Sequence, residues 1–161
     1  MEWRFTRSTH VAGAPAAVWR RVVSQAGIND EMWPWMSMSA PHGTGELSIA
    51  TVDVGRPAGR APLRLFGVVP FDYDDLTITE LEPGRRFREE STMRSMRRWV
   101  HERTVEPAPG GGTVVTDRVT LAPRPPLVPA GRVISALLAA FFRHRHRRLA
   151  RHFKTSRSCQ L

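Results

Sequence analysis

The sequence predicts an α+β domain in which a curved antiparallel sheet of about seven strands wraps one long C-terminal helix, with two short helices after the first strand. Three observations carry this. From Pro129 to about Phe153, apolar side chains recur at Ile134, Leu137, Leu138, Phe141, Phe142, Leu149 and Phe153, the i, i+3, i+4, i+7 spacing of one buried helical face. At ~1.5 Å per residue that helix is roughly 35 Å long, enough to cross a small sheet. Ahead of it lie short runs of alternating polarity, and strands in series followed by a helix favour an antiparallel sheet with helices on one side. Lastly, 161 residues with 41% hydrophobic content suit one core over residues 1–155, with 156–161 as a flexible tail.

Trp3 to Val11 reads as the first strand. Pro15 then opens a helix at a position where its missing N–H costs nothing. Val18, Trp19, Val22 and Val23 give that helix its buried face, and Gly27 reads as its stop. Asn29 or Asp30 is the expected cap of a second, short helix, which Pro34 ends. Strands are expected at Leu47–Val54, Leu63–Val69 and Leu76–Glu82, the last closing on Pro83-Gly84, the pair a type II turn requires. Arg86–Met93, Arg97–Glu106 and Thr113–Ala122 complete the set, the last two joined by the loop Pro107–Gly112. Pro123, Pro125, Pro126 and Pro129 make a stiff connector to the final helix.

The charge is lopsided. All 15 acidic residues fall in residues 1–117, whereas residues 118–161 carry ten Arg or Lys and no acid. The bland reading is a solvated helix end whose cations suit the helix dipole; the sharper one is a nucleic-acid or anionic-membrane patch. Phe141, Phe142 and Leu149 interleave with these cations and fit a core face better than a base-stacking platform. Arg145 and His146 interrupt the apolar stripe and must face water, a partner, a cavity or an acidic patch on residues 1–117. No secretory leader is visible at the start, and the apolar stretch Val133–Phe142 is too short to span a bilayer. With Cys159 as the single cysteine, the expected location is the cytoplasm. Lys154 is the single lysine among the basic residues, a bias that fits a GC-rich bacterial genome.

Several segments resemble the helix-grip superfamily (START-like, or SRPBCC), which includes steroid-transfer lipid carriers, the birch-pollen allergen and bacterial polyketide cyclases. The carriers of the resemblance are Pro15-Ala16-Ala17-Val18-Trp19, the turn Leu81-Glu82-Pro83-Gly84-Arg85-Arg86-Phe87 and the long last helix. Phe66–Pro70, Trp99–Arg103 and Phe142–Leu149 are similar to a little-characterised bacterial branch. The resemblance implies a ligand cavity for a lipid, polyketide or aromatic compound. A curved sheet around a straight helix leaves such a space on geometric grounds as well. Members range from carriers to enzymes, so the fold alone does not settle the activity.

Alternation places Trp99, His101, Arg103 and Val105 on one strand face, and Glu89 with Met93 on the facing side of the strand before. Pairing Val105 with Thr113 sets His101 opposite Asp117 and Arg103 opposite Val115, giving an inward Glu89–His101–Arg103–Asp117 cluster. Two readings stand. As structure, Arg103 pairs with Asp117 or Glu89, and His101 is a satisfied inner histidine. As chemistry, His101 is a general acid/base, Arg103 an anion stabiliser and Asp117 or Glu89 an orienter, in a cyclase or dehydratase. The expected ligand-contacting set is Trp35, Met36, Glu89, Met93, Trp99, His101, Arg103, Phe141 and Arg145. Trp33, Trp35, Met36 and Met38 form either core or the rim of a ligand entrance. Asp72, Asp74 and Asp75 read as a solvated turn. His144 and His146 point to different helix sides, and no HExxH, paired CxxC, phosphate-loop or GxSxG motif occurs, so no metal or cofactor is expected. The expected partner is a hydrophobic small molecule. Nucleic acid is disfavoured, peripheral membrane contact stays open, and the chain suits a monomer or a homodimer.

Overall fold

The computed structural model describes residues 1–41 and 48–158. Strand β1 (Trp3–Val11) alternates, with the odd-numbered residues turned inward. Helix α1 (Pro15–Val22) follows, with Pro15 in its first turn and Val18, Trp19 and Val22 buried. Helix α2 (Gln25–Met32) starts earlier than expected. Its cap is Ser24, whose side chain accepts the Gly27 N–H at 3.1 Å. Gly27 is therefore inside α2 rather than ending α1, and Asn29 and Asp30 are mid-helix rather than caps. Asn29 instead bonds the backbone of Met38 through both ends of its amide.

The Trp33–Met38 segment contributes the short strand β2 (Met36–Met38). The strand expected at Leu47–Val54 is absent from the described residues; Leu47 lies outside them. Ile49–Thr51 is a single 3₁₀ turn. Ile49 is buried and its N–H donates to Val23 at 2.9 Å, so this segment is tied to the end of α1 instead of a sheet neighbour. Strand β3 (Pro57–Leu65) begins earlier than the apolar run suggested and ends at a turn where Phe66 and Gly67 both take positive φ. Strand β4 (Val69–Glu82) is likewise longer at its start and includes Asp72, Asp74 and Asp75. Apolar residues at an exposed hairpin tip read as strand because apolarity usually means burial. Here it does not.

The remaining elements fall where the sequence places them. Gly84 has φ 82°, the left-handed conformation the second turn position demands, and Arg85 N–H closes the turn on Glu82. Strands β5 (Arg86–Met93), β6 (Met96–Pro107) and β7 (Thr113–Pro123) lead through a 3₁₀ stretch, Pro125–Ala130, into helix α3 (Gly131–Ser158). The helix thus runs past residue 155, while Cys159 and the last two positions lie outside the described residues.

The seven strands form one antiparallel sheet in the order β1-β7-β6-β5-β4-β3-β2. Its first and last strands are joined by α1 and α2, and irregular pairings at Pro57/Gly59, Leu63/Arg64, Ile78/Glu80 and Met96/Arg98 help it curl. Helix α3 packs on β1, α2 and β7. Between β6 and β7 the register differs from the expected one by two residues: Arg103 faces Asp117, His101 faces Val119 and Val105 faces Val115. A shift of two keeps every side chain on its face. Glu89 does face His101, as the β5–β6 turn implied.

Gly131 and Gly27 mark the tightest of the close approaches at glycine. A Cβ on Gly131 would meet the Trp3 indole at 2.2 Å, and one on Gly27 would meet the Arg21 carbonyl oxygen at 1.9 Å. Alanine is worth ~1 kcal/mol more than glycine in a helix interior. For Gly27→Ala the clash with backbone should reverse that sign and cost about 1–3 kcal/mol, measured as a lower urea midpoint at unchanged slope.

Candidate functional site

The inward faces of β4 to β7 carry charge where a core would be apolar. Glu31, Asp74, Glu89, His101, Arg103, Asp117, Arg145 and His146 are all buried. Arg103 is the hub, with 1% of its surface exposed. Its Nε and Nη2 donate to Asp117 Oδ1 and Oδ2 at 2.6 and 2.7 Å, and Nη1 reaches Glu31 Oε1 at 2.8 Å. From α3, Arg145 Nη2 approaches Glu31 Oε2 at 3.1 Å and His146 Nε2 approaches Asp117 Oδ2 at 2.8 Å. His101 Nε2 lies 2.9 Å from Asp117 Oδ1, and its Nδ1 faces Glu89 Oε2 at 3.8 Å. The two polar residues that break the helix stripe thus land on two buried acids.

Burial alone would raise the Asp117 carboxyl, but the Arg103 guanidinium, helped by His101, holds it well below the usual carboxylate range. Burial would lower the His101 imidazole, yet Asp117 and then Glu89 keep it above its ordinary value. For Glu89, burial pushes up and His101 overcomes it, so this carboxyl sits low. Asp74 is the opposite case. Burial, reinforced by the neighbouring Glu89 charge, pushes it well above the carboxylate range.

Beside this network lies a cavity of about 400 Å³ between the sheet and α3, within the size range of small-molecule sites. Its walls are largely apolar. Met36, Glu89, Met93, Trp99, His101, Phe141 and Arg145 from the expected set line it. Arg103, Asp117 and Trp35 are not at its wall. Arg103 and Asp117 sit behind it in ion pairs, so the expected ligand contact of Arg103 is not made at the wall, while Asp117 stands beside His101, where an orienting acid was expected. Trp35 is half exposed and packs on Phe66 and His144, with ring centroids 6.2 and 6.4 Å away.

Sequence reasoning missed Asp74 and Glu31. Asp74 is two residues before Leu76 and four before Ile78, so the alternation of β4 already turned it inward. Glu31 shares the buried face of α2 with Gly27, Ile28 and Met32, the spacing of an apolar stripe. Asp72 is committed to structure: it accepts the N–H groups of Arg94 and Ser95 and the Ser95 hydroxyl. Of the apolar residues lining the cavity, Phe71, Leu127 and Leu137 are exposed, Leu137 by 66%, and Trp33, Phe66 and Val68 are exposed as well. Among the described residues one stretch, Pro125–Thr155, is long and apolar enough by length and composition to cross a membrane, yet it contains the helix that packs on β1, α2 and β7. Its apolar part is mostly uncovered, whereas Phe142 and Leu149 are buried in the core.

A curled antiparallel sheet closed by a long C-terminal helix, with a cavity between them, defines a helix-grip fold. The chain belongs to the family described as Domain of unknown function (DUF8410), which it matches over residues 9–153. Comparison with curated proteins by sequence finds no match. Among solved structures, it is similar to the Zhui aromatase/cyclase from Streptomyces, with TM-score 0.70 and 10% identity, covering 96% of this chain and 94% of that one. It is similar to a START superfamily protein from Mycobacterium smegmatis, with TM-score 0.66 and 10% identity over 94% and 97% of the two chains. The di-domain ARO/CYC StfQ of the steffimycin pathway matches with TM-score 0.63 and 12% identity, over 98% of this chain and 52% of that one. At these identities the likeness is one of fold.

Replacing Arg103 with Met leaves Asp117 and Glu31 buried without their main counter-charge, and a loss of about 3–5 kcal/mol is expected in urea unfolding. Asp74 acts in the other direction. An acid whose folded-state value is raised binds a proton the unfolded chain has released, so stability falls as pH rises from ~3.9 through the folded value. Asp74→Asn should therefore unfold at higher urea than the parent at pH 7, and the two should converge near pH 4.

Proposed function

We infer that this protein binds a hydrophobic small molecule, a lipid, polyketide or aromatic compound, in the cavity between the sheet and α3. The observation that carries this is the cavity itself, about 400 Å³ with mainly hydrocarbon walls and a few polar groups among them. Apolar volume left open costs packing energy, and a ligand restores it. The solved relatives include proteins described as START and as aromatase/cyclases, which supports a small-molecule site without fixing its occupant.

The cyclase-type alternative rests on His101, which lines the cavity. Both of its ring nitrogens are directed at carboxylates, Asp117 and Glu89. A general base needs a nitrogen within hydrogen-bond reach of the substrate proton, so binding is favoured over catalysis. The basic C-terminal segment offers less than its composition suggests, because Arg118, Arg145 and Arg148 are paired with Glu102, Glu31 and Asp30. Nucleic acid is therefore disfavoured as a partner. A lipid surface is favoured as the place of loading by the chain's exposed apolar residues, since exposed Trp beside aliphatic residues suits the headgroup boundary.

Titration with 1-anilinonaphthalene-8-sulfonate, read by probe emission and Trp quenching, should show saturable binding. Met93→Trp and Leu138→Trp, which fill the cavity, should weaken it at least tenfold while far-UV circular dichroism is unchanged. Equal binding by the filled variants would remove the cavity from the explanation. In flotation with phosphatidylcholine/phosphatidylglycerol vesicles, a Trp33→Ser, Phe66→Ser, Val68→Ser variant should lose membrane association yet keep its affinity for the probe.

A further inference from the structure

Asp74 sits on β4 with its side chain at the cavity wall, next to Phe87, Met93 and Leu76 and only 6% exposed. Its carboxyl lies beside Glu89 and Ser91 of the neighbouring strand. Its Oδ1, however, is buried and has no hydrogen-bond partner. Every other acid around the cavity is engaged. Asp72 takes donors from the β5–β6 turn, Glu89 takes the Ser91 hydroxyl at 3.0 Å, and Glu31 and Asp117 are held by Arg103. A buried acceptor left unmet is costly, and most such groups in folded proteins find a donor.

We propose that the cavity wall at Asp74 is a recognition site for a neutral hydroxyl group on the hydrophobic ligand, with Asp74 Oδ1 as the acceptor. This rests on the cavity being a ligand site. A ligand can supply the donor, because Ser91 and Ser95 are already committed to Glu89 and Asp72 and the rest of the wall is mainly hydrocarbon. An anionic head is excluded by the two carboxyl groups of Asp74 and Glu89 side by side. A cationic head is disfavoured because His101 and Arg145 line the same space. A hydroxyl meets neither obstacle and satisfies the free oxygen. The ligand class is thus an alcohol or phenol with a ring or chain body.

Asp74 serves here as a neutral group, and this gives the test its shape. Asparagine keeps an acceptor oxygen and can still donate to Glu89; leucine removes both. Calorimetric affinities are measured for 2-naphthol, 2-methoxynaphthalene, 2-naphthoate and 2-naphthylmethylamine. The parent protein should bind 2-naphthol at least tenfold more tightly than each of the other three. Asp74→Asn should retain that preference. Asp74→Leu should cut the naphthol/methoxynaphthalene ratio below about threefold with methoxynaphthalene affinity intact, and Asp74→Val is read in the same way if the leucine variant does not fold. Equal affinity of the parent for naphthol and its methyl ether would overturn the hydroxyl site and leave the cavity reading standing. Tightest binding of the amine or the carboxylate, or an unchanged ratio in both apolar variants, would overturn it too. Absence of binding by all four compounds would remove both readings.

Discussion

The Arg103 guanidinium, forked between Asp117 and Glu31, is the contact on which the arrangement turns. A charge this deeply buried is tolerable only when its partners are placed to within a few tenths of an ångström. Its partners come from three directions: Asp117 from the neighbouring strand, Glu31 from α2, and through those acids Arg145 and His146 from α3. One planar cation thereby sets the position of both helices relative to the sheet. Apolar packing would allow small slides of α3 along the sheet. A fork of ion pairs does not. The spacing between helix and sheet, and so the room left for a cavity, follows from it.

That constraint also divides the polar groups by task. Behind the cavity wall, Arg103, Asp117 and Glu31 satisfy one another and have nothing left for a ligand. At the wall, His101 is held by carboxylates at both nitrogens and stacks edge-on against Phe87 and Phe142 at 5.5 and 5.3 Å, which fixes the ring. Among the described residues that line the wall, Asp74 keeps an unsatisfied atom. The site resembles a rigid apolar container with one open valence. Such a design selects ligands by shape first and by a single polar group second.

Much of this was legible in the sequence, for physical reasons that can be named. Period-two alternation in β5, β6 and β7 and period-3.6 spacing in α3 are local signals, and the fold class followed from them. The inward cluster around His101 was also reachable, because face depends on parity and survives a register shift of two. What failed were features decided at long range. Ser24 rather than Asn29 caps α2 because the helix had to begin where Gly27 meets the Arg21 carbonyl. Ile49 leaves the sheet for a contact with α1. Arg103 and Asp117 were visible as charged inward residues, but nothing local told that Glu31, 72 positions from Arg103, would close around them and withdraw them from the cavity. The β3–β4 tip was misread because its apolar residues are exposed, against the usual association of apolarity with burial.

The span between partners has a temporal side. Glu31 and Arg145 are separated by 114 positions, and a ribosome makes the sheet before it makes α3. Until that helix arrives, the nascent sheet holds acids that lack part of their counter-charge and an apolar face with no cover. Contacts so distant in sequence form late and slowly. The final helix is thus the latch that converts a half-neutralised sheet into a finished protein, and the unlatched chain is the species a cell's chaperones would meet.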